Sequence, residues 1–373
     1  MARPRSLAWS LAAAWACLMV YASLHPFEGW RLPTEPGARL FVLGPPQPPY
    51  VSRFDRVANL LGYLPLGALL ALALIRDGRS RLLAVGAALA ASSSLSYAME
   101  TLQHLLPRRV PSIYDWQLNS AGAALGALVV VLADVIGGLA RWQRWRERWF
   151  LRGRGFGLAL LLLWPFGLLF PPPLPFGLGQ VVVRLREAAA QALAGTPWDG
   201  WLPPPGAAGV GTPLAPAGEL LGIVAGLLGP ILLSYAITPP GARRLVLLAG
   251  AIVLGVSVTT LSTALNFGPD HALAWLTRPV APALALAAAI ALPFAWAPAR
   301  AAAAVALLAV GAGLALVNAA PSDAYYAESL QSWEQGRFIR FHGLAQWVGW
   351  AWPWAALAYL LGRVASRRDP PET

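Results

Sequence analysis

The amino-acid sequence predicts an all-α protein that crosses a membrane about ten times. Of its 373 residues, 57% are hydrophobic and only 12% are charged, a composition typical of integral membrane proteins. A spanning helix needs about 20 mostly apolar residues. The runs are continuously apolar rather than alternating, which favours a transmembrane helical bundle over a barrel. The ten runs are 7–24, 57–75, 82–104, 116–136, 156–170, 219–237, 245–264, 279–297, 301–318 and 344–362.

Arginine gives the predicted orientation. The formal net charge is +11, every basic residue is arginine, and six arginines fall between residues 141 and 154. They follow the ends of the apolar runs, which indicates membrane topology and not a nucleic-acid surface. Both termini are expected in the cytoplasm. The first run starts after MARPRS, lacks a clear cleavage site before HPFEGW, and is expected to remain as a span.

Three regions are predicted: a four-span domain at 1–138, a basic linker at 139–155 and a second membrane region of about six spans at 156–373. The linker, rich in Trp and Arg, is interpreted as a helix on the cytoplasmic lipid surface, with a plain loop as the alternative. Two outer segments are predicted, 24–54, which is rich in Pro and Gly, and 171–218, which begins PPPLPFGLGQ.

Amphipathic helices are predicted on the outer side of the second region. One covers 182–193, followed by Trp198 and Trp201 at the membrane interface. Another is expected within 323–347, leading into the last span.

Polar side chains interrupt the second, third and fourth runs near one side of the membrane. Glu100 is the strongest signal, because a carboxylate near mid-span costs roughly 2.5–3.5 kcal/mol on insertion scales. We expect a polar pocket open to the outer face, in which Glu100 and Asp115 face Arg108 or Arg109. A lock between helices is the alternative. The predicted ligand-binding residues are Asp55, Asn59, Glu100, Gln103, Arg108, Arg109, Asp115 and Asn119.

Two stretches of this region have similar sequences. FDRVANLLGYLPLG at 54–67 and YDWQLNSAGAALGA at 114–127 share an aromatic residue, Asp, Asn and Gly in register. Each Asp and Asn are four residues apart and so share one helix face. Asp55 and Asp115 are also placed to cap their helices. The two spans are expected to run in the same direction as a parallel repeat.

The ordered motif resembles the VanZ-like family of bacterial membrane proteins over about residues 5–138. It reads Asp-x3-Asn with Pro-x-Gly, then Glu-x2-Gln, Arg, and Asp-x3-Asn-x2-Gly-x3-Gly. The residues after 138 look like the extra region of longer family members. The residues that carry the motif are Asp55, Asn59, Pro65, Gly67, Glu100, Gln103, Arg108 or Arg109, Asp115, Asn119, Gly122 and Gly126.

The resemblance implies a multi-pass protein of the bacterial inner membrane with a role in the cell envelope. The founding member of the family is associated with resistance to teicoplanin, and its molecular activity is not established. The site residues are carried over to this chain on the motif. A role in envelope or glycopeptide-antibiotic tolerance is an expectation from the resemblance alone.

Three functions are compatible with the sequence. The leading one is a non-enzymatic protein that binds a lipid or a lipid-linked envelope precursor. The second is an enzyme acting on such an amphiphile, with Glu100 or Asp115 as general acid or base. The third is a secondary transporter, which needs access from the cytoplasmic side as well. The histidines and the single Cys17 have no metal-ligand spacing, so no metal or cofactor is predicted. The oligomeric state stays open.

Overall fold

The computed structural model describes residues 6–25, 27–32, 53–107, 109–201, 214–320 and 339–366, with backbone alone at 53–55, 183–184, 187 and 339–344. Every regular element within these residues is helical: twelve α-helices and two 3-10 turns, with no strand. The predicted all-α class is therefore confirmed. The chain divides into two compact units, Met1–Trp145 (unit 1) and Arg146–Thr373 (unit 2).

Unit 1 is a bundle of four long helices. Serine residues fix two of the helix starts, since Ser6 Oγ accepts a hydrogen bond from Ala8 N and Ser80 Oγ accepts one from Leu83 N, both at 3.3 Å. Met19, Tyr63 and Ala123 are buried together in the bundle core. The helices are α1 (Leu7–Leu24), α2 (Arg53–Arg76), α3 (Arg81–Gln103) and α4 (Ile113–Val135), and α5 (Gly138–Trp149) follows them at the end of unit 1 in the sequence.

Unit 2 is built around one buried helix, α8. Its residues Ile223, Ile231 and Leu232 are fully buried, as expected for a helix that is apolar on all sides. The helices of unit 2 are α6 (Gly155–Leu168), α7 (Val182–Leu193), α8 (Pro216–Ala236), α9 (Arg243–Phe267), α10 (Val280–Ala291), α11 (Ala299–Ala319) and α12 (Ile339–Ala365), with 3-10 turns at Pro269–His271 and Pro293–Ala295.

Seven described helices, α1 to α4, α8, α9 and α11, are long and apolar enough to cross a membrane. Two of the other predicted spans are short helices, and the first of them is predicted from a run of only 15 residues, 156–170. The helix α6 has 14 residues and α10 has 12, so they rise about 21 and 18 Å, short of the roughly 30 Å hydrocarbon layer. Proline explains both ends, because Pro171 and Pro293 follow closely and lack an N–H for the helix. The last predicted span is α12, with 27 residues.

Residues 171–180, the start of the second predicted outer segment, form an irregular Pro-rich stretch, and the side of the membrane on which they lie stays a prediction. They are folded into the interior of unit 2, where Phe176 is 1% exposed. Main-chain groups in an apolar interior need partners, and Asn318 of α11 supplies three of them, at residues 179, 181 and 182. Its Oδ1 accepts the N–H groups of Val181 and Val182 at 3.1 and 3.0 Å, and its Nδ2 donates to the Gly179 carbonyl at 2.9 Å. A polar side chain from a helix distant in sequence therefore satisfies main-chain groups at the end of this buried, irregular segment.

Arg244, at the start of α9, is a buried arginine. It is 0% exposed, and its guanidinium donates to the main-chain carbonyls of Thr238, Phe294 and Ala297. These carbonyls end α8 and the 3-10 turn after α10, so Arg244 caps two helical segments at once.

The predicted linker contains a helix rather than a plain loop. The helix α5 has no buried residue, and the rings of Trp142 and Trp145 stack with centroids 5.0 Å apart. The predicted amphipathic helix at 182–193 is found as α7, and Trp198 and Trp201 after it are exposed. Lipid contact by either helix stays a prediction, as do the three domain limits.

Some predictions fall outside the described residues. Most of the first outer loop, at 33–52, and the start of the predicted interfacial helix, at 323–338, are among them. The position of the termini relative to the membrane also stays a prediction.

Candidate polar site of unit 1

Three glycines bring α2 and α4 into backbone contact and thereby position the site. A methyl group built on Gly122 would lie 2.0 Å from the Leu60 carbonyl oxygen, and one on Gly126 would lie 2.0 Å from that of Leu64. Gly67 meets the α4 backbone in the same way. Positions 60 and 64 of α2 meet 122 and 126 of α4 in the same order, so the two helices run in the same direction. The predicted packing role of these glycines and the parallel direction are confirmed.

Glu100 lies inside the bundle at the end of α3. It is 4% exposed, and its Oε2 accepts a hydrogen bond from the main-chain N–H of Ser112 at 2.9 Å. Ser112 is the N-cap of α4, where main-chain N–H groups have no partner within the helix. The carboxylate therefore joins the end of α3 to the start of α4. Asp115 and Arg109 are both within electrostatic range of it.

Next to Glu100, three helices bury further polar side chains. Asn119 of α4 donates from Nδ2 to Ser96 Oγ of α3 at 2.9 Å, and both residues are buried. The hydroxyl of Tyr63 on α2 lies beside Ser96 and in electrostatic range of Glu100. Tyr63 Oη and Asn119 Oδ1 nevertheless have no partner with hydrogen-bond geometry. Such groups are uncommon in protein interiors, and each calls for an explanation.

Two predicted ligand-binding residues hold the end of α1. Gln103 Nε2 donates to the Ser23 carbonyl at 3.1 Å. Arg109 donates from Nε to the His25 carbonyl at 3.2 Å and from Nη2 to the Ala22 carbonyl at 3.1 Å. The last carbonyls of a helix have no partner within it. Gln103 and Arg109 therefore act as C-terminal caps of α1, a role that the sequence does not indicate.

Two of the remaining predicted residues have described side chains. Asp115 and Asn59 are half-buried. Asp115 does not cap α4 as predicted, because Ser112 takes that position and its Oγ accepts a hydrogen bond from Asp115 N at 3.4 Å. Asp55 lies in the first turn of α2, and its side chain is outside the described part of the chain, as is the whole of Arg108. Whether Arg108 faces the carboxylates of Glu100 and Asp115 stays a prediction.

Tyr63, Ser96 and Ser112 are site residues that the sequence analysis missed. Helical spacing was the available signal, since Tyr63 follows Asn59 by four residues and Ser96 precedes Glu100 by four. Ser112 stands three residues before Asp115, which is the spacing of a capping box.

The helices and the buried polar side chains together define a class of protein, a helical membrane protein with a polar site inside one bundle. Residues 8–134 match the model of the VanZ/LLP1 family. The N-terminal third of the chain is therefore VanZ-like, as the motif predicted, and the matched region contains the whole polar site. No curated protein and no solved structure matches the chain.

Proposed function

We propose that this VanZ-like membrane protein binds a lipid or a lipid-linked precursor of the cell envelope at the Glu100 end of unit 1. The observation that carries the proposal is the buried group of Glu100, Asn119 and Tyr63, in which two polar atoms lack partners. A half-buried rim of Asp115 and Arg109 adjoins it. A buried polar core with a charged rim suits an amphiphile whose head group is polar and whose chains remain in the bilayer.

Arg109 is the residue expected to attract the head group. Its side chain is bound to main-chain carbonyls of α1 and so is fixed before a ligand arrives. A fixed guanidinium attracts phosphate or carboxylate with little further loss of side-chain freedom. Tolerance of envelope-directed antibiotics is the cellular consequence that the proposal expects.

Native mass spectrometry of the purified full-length chain tests the proposal. Glu100→Gln keeps the shape of the side chain and removes its charge, whereas Arg109→Lys keeps the charge and removes the planar fork. Arg81→Ala is the matched control, because Arg81 pairs with Asp134 at 2.7 Å at the opposite end of the same bundle. Retained lipid should decrease in the first two variants and stay at the wild-type level in the control. Equal retention in all four proteins, each with normal helical content, contradicts the proposal.

An enzyme acting on the same amphiphile is the second candidate. The observation in its favour is that two carboxylates, Glu100 and Asp115, lie within electrostatic range of each other, an arrangement that general acid–base catalysis can use. Turnover of a lipid-linked substrate by the reconstituted chain, abolished by Glu100→Gln while lipid retention persists, would favour catalysis over binding alone.

Transport is less well supported by the described part of unit 1. The buried polar side chains of α3 continue from Glu100 only as far as Ser92. Beyond that point Ala71, Ala88 and Ala127 close the interface of α2, α3 and α4 with fully buried apolar atoms. A polar path that ends inside the bundle favours binding of a ligand from one side of the membrane over transport across it.

A further inference from the structure

We propose that α5 is a recognition site for anionic phospholipids, which selects negatively charged head groups over zwitterionic ones in the adjacent leaflet. The sequence predicts only that a helix lies on the lipid surface, and the structure adds how the helix starts and how its side chains are arranged. The site is separate from the proposed function, because α4 begins beside Glu100 and α5 follows its opposite end.

The start of α5 is held against the end of α4. Gly137 has a φ of +70°, a conformation that favours glycine, so the chain changes direction there and α5 does not continue α4. A methyl group built on Gly138 would lie 2.9 Å from the Ala133 carbonyl oxygen, so the corner is compact. Arg141 Nη2 donates to the Ile136 carbonyl at 2.9 Å across it. Since α4 is long and apolar enough to span a membrane, α5 begins where that span leaves the hydrocarbon.

Tryptophan forms one face of α5. Trp142, Trp145 and Trp149 are spaced by three and four residues and therefore share a face. The rings of Trp142 and Trp145 stack, yet they are 48% and 44% exposed, and no residue of α5 is buried. Adjacent exposed apolar side chains mark an interaction surface. An indole has an apolar ring and one polar N–H, so its usual place is the interface between lipid and water.

Arginine forms the neighbouring face. Arg141, Arg144 and Arg148 have the same spacing, and each precedes one of the tryptophans by a single residue, which places the two faces side by side. All three arginines are exposed. The helix contains four arginines and one acidic residue, Glu147, whose Oε2 lies 3.9 Å from Nη2 of Arg152. The apolar face is therefore bordered by positive charge.

This arrangement suits an anionic lipid surface and no other leaflet composition as well. With the tryptophans at the interface, the adjacent guanidinium groups lie at the level of the lipid phosphates, which they bind through paired N–H donors. A zwitterionic head group brings its own positive charge close to the arginines, whereas an anionic one does not. Each arginine near an anionic surface strengthens binding by about fivefold.

Amide hydrogen exchange of the full-length chain in nanodiscs tests the proposal. One set of discs contains phosphatidylcholine alone, and the other contains equal amounts of phosphatidylcholine and phosphatidylglycerol. Residues 138–149 should exchange about fivefold more slowly, or slower still, in the discs with phosphatidylglycerol. Arg144→Gln/Arg148→Gln should remove most of this difference. The matched control is Arg186→Gln/Arg278→Gln, which removes the same charge from exposed positions outside α5 and should keep the difference.

A second variant tests the tryptophan face. Trp142→Ala/Trp145→Ala keeps every charge and a good helix former at both positions. It should speed exchange at 138–149 in both kinds of disc, because the contact that it removes is apolar and does not depend on head-group charge.

Four results would overturn the proposal, given normal helical content of each protein. The first is equal exchange at 138–149 of the wild type in the two kinds of disc. The second is a difference that persists in Arg144→Gln/Arg148→Gln, and the third is its loss in the control, which would show an effect of net charge alone. The fourth is unchanged exchange in the tryptophan variant. Glu100→Gln should leave exchange at 138–149 unchanged, so this proposal and the proposed function can fail separately.

Discussion

Replacing Gly122 by alanine should separate α2 from α4 and destabilise unit 1. The new methyl group would lie 2.0 Å from the Leu60 carbonyl oxygen and 2.9 Å from its carbonyl carbon. Close Cα–H···O contacts have carbon–oxygen distances of about 3.3–3.6 Å, so the backbones must move apart by more than about 1 Å. Overpacking costs about 1–3 kcal/mol, and each lost Cα–H···O contact about 0.5–1 kcal/mol. We therefore expect a loss of about 2–4 kcal/mol.

Thermal unfolding of the purified chain in detergent measures this loss. For a unit of this size a loss of 2–4 kcal/mol corresponds to a decrease in Tm of roughly 4–16 °C. The matched control is Gly86→Ala on α3, where a methyl group would meet nothing within 4 Å. Alanine is the better helix former by up to about 1 kcal/mol, so this control should be as stable as the wild type or slightly more so. A Gly122→Ala chain that unfolds at the wild-type temperature refutes the proposed backbone contact.

Three further perturbations have defined outcomes. Arg244→Met should lower the Tm of unit 2 by leaving main-chain carbonyls without donors, at about 1–3 kcal/mol for each group that stays buried. Asn318→Leu should speed amide hydrogen exchange at 179–182 without unfolding the other helices, because two N–H groups there lose their acceptor. Arg109→Ala should increase fraying and proteolysis at 22–25, and Arg109→Lys should do so less. Wild-type behaviour in any of the three contradicts the corresponding contact.

The sequence indicated the buried site residues that are unfavourable in an apolar run whatever the neighbouring helices are. Glu100 and Asn119 stand inside apolar runs, where a polar side chain needs a partner wherever the neighbouring helices are. Gly122 and Gly126 follow the small-residue spacing of close helix pairs. Gly62 has the same position in its stretch as Gly122, but a methyl group built on Gly62 would meet Met19 Sδ at 3.8 Å and no main-chain atom, so the two glycines do not pack in the same way.

The contacts that the sequence did not indicate depend on distant parts of the chain. Arg109 binds carbonyls that lie 84 and 87 residues earlier, and nothing near Arg109 marks the end of α1 as its neighbour. The stretch 171–180 has the composition of an exposed loop, yet it is buried, and Asn318, more than 130 residues later, bonds main-chain groups at its end. Arg244 lies at a helix end, where arginine is expected in a membrane protein. Its burial could not be predicted, because the carbonyls that accept its hydrogen bonds belong to two other segments.

The most direct test of the central claim is a cryo-electron microscopy map of the full-length chain in nanodiscs of total bacterial lipid. The proposed function predicts density for one amphiphile at the Glu100 end of unit 1, with its head group against Arg109 and Asp115. The same density should be absent from a map of Glu100→Gln. A wild-type map in which side chains close that end, with lipid only around the outside of the helices, would contradict the proposal.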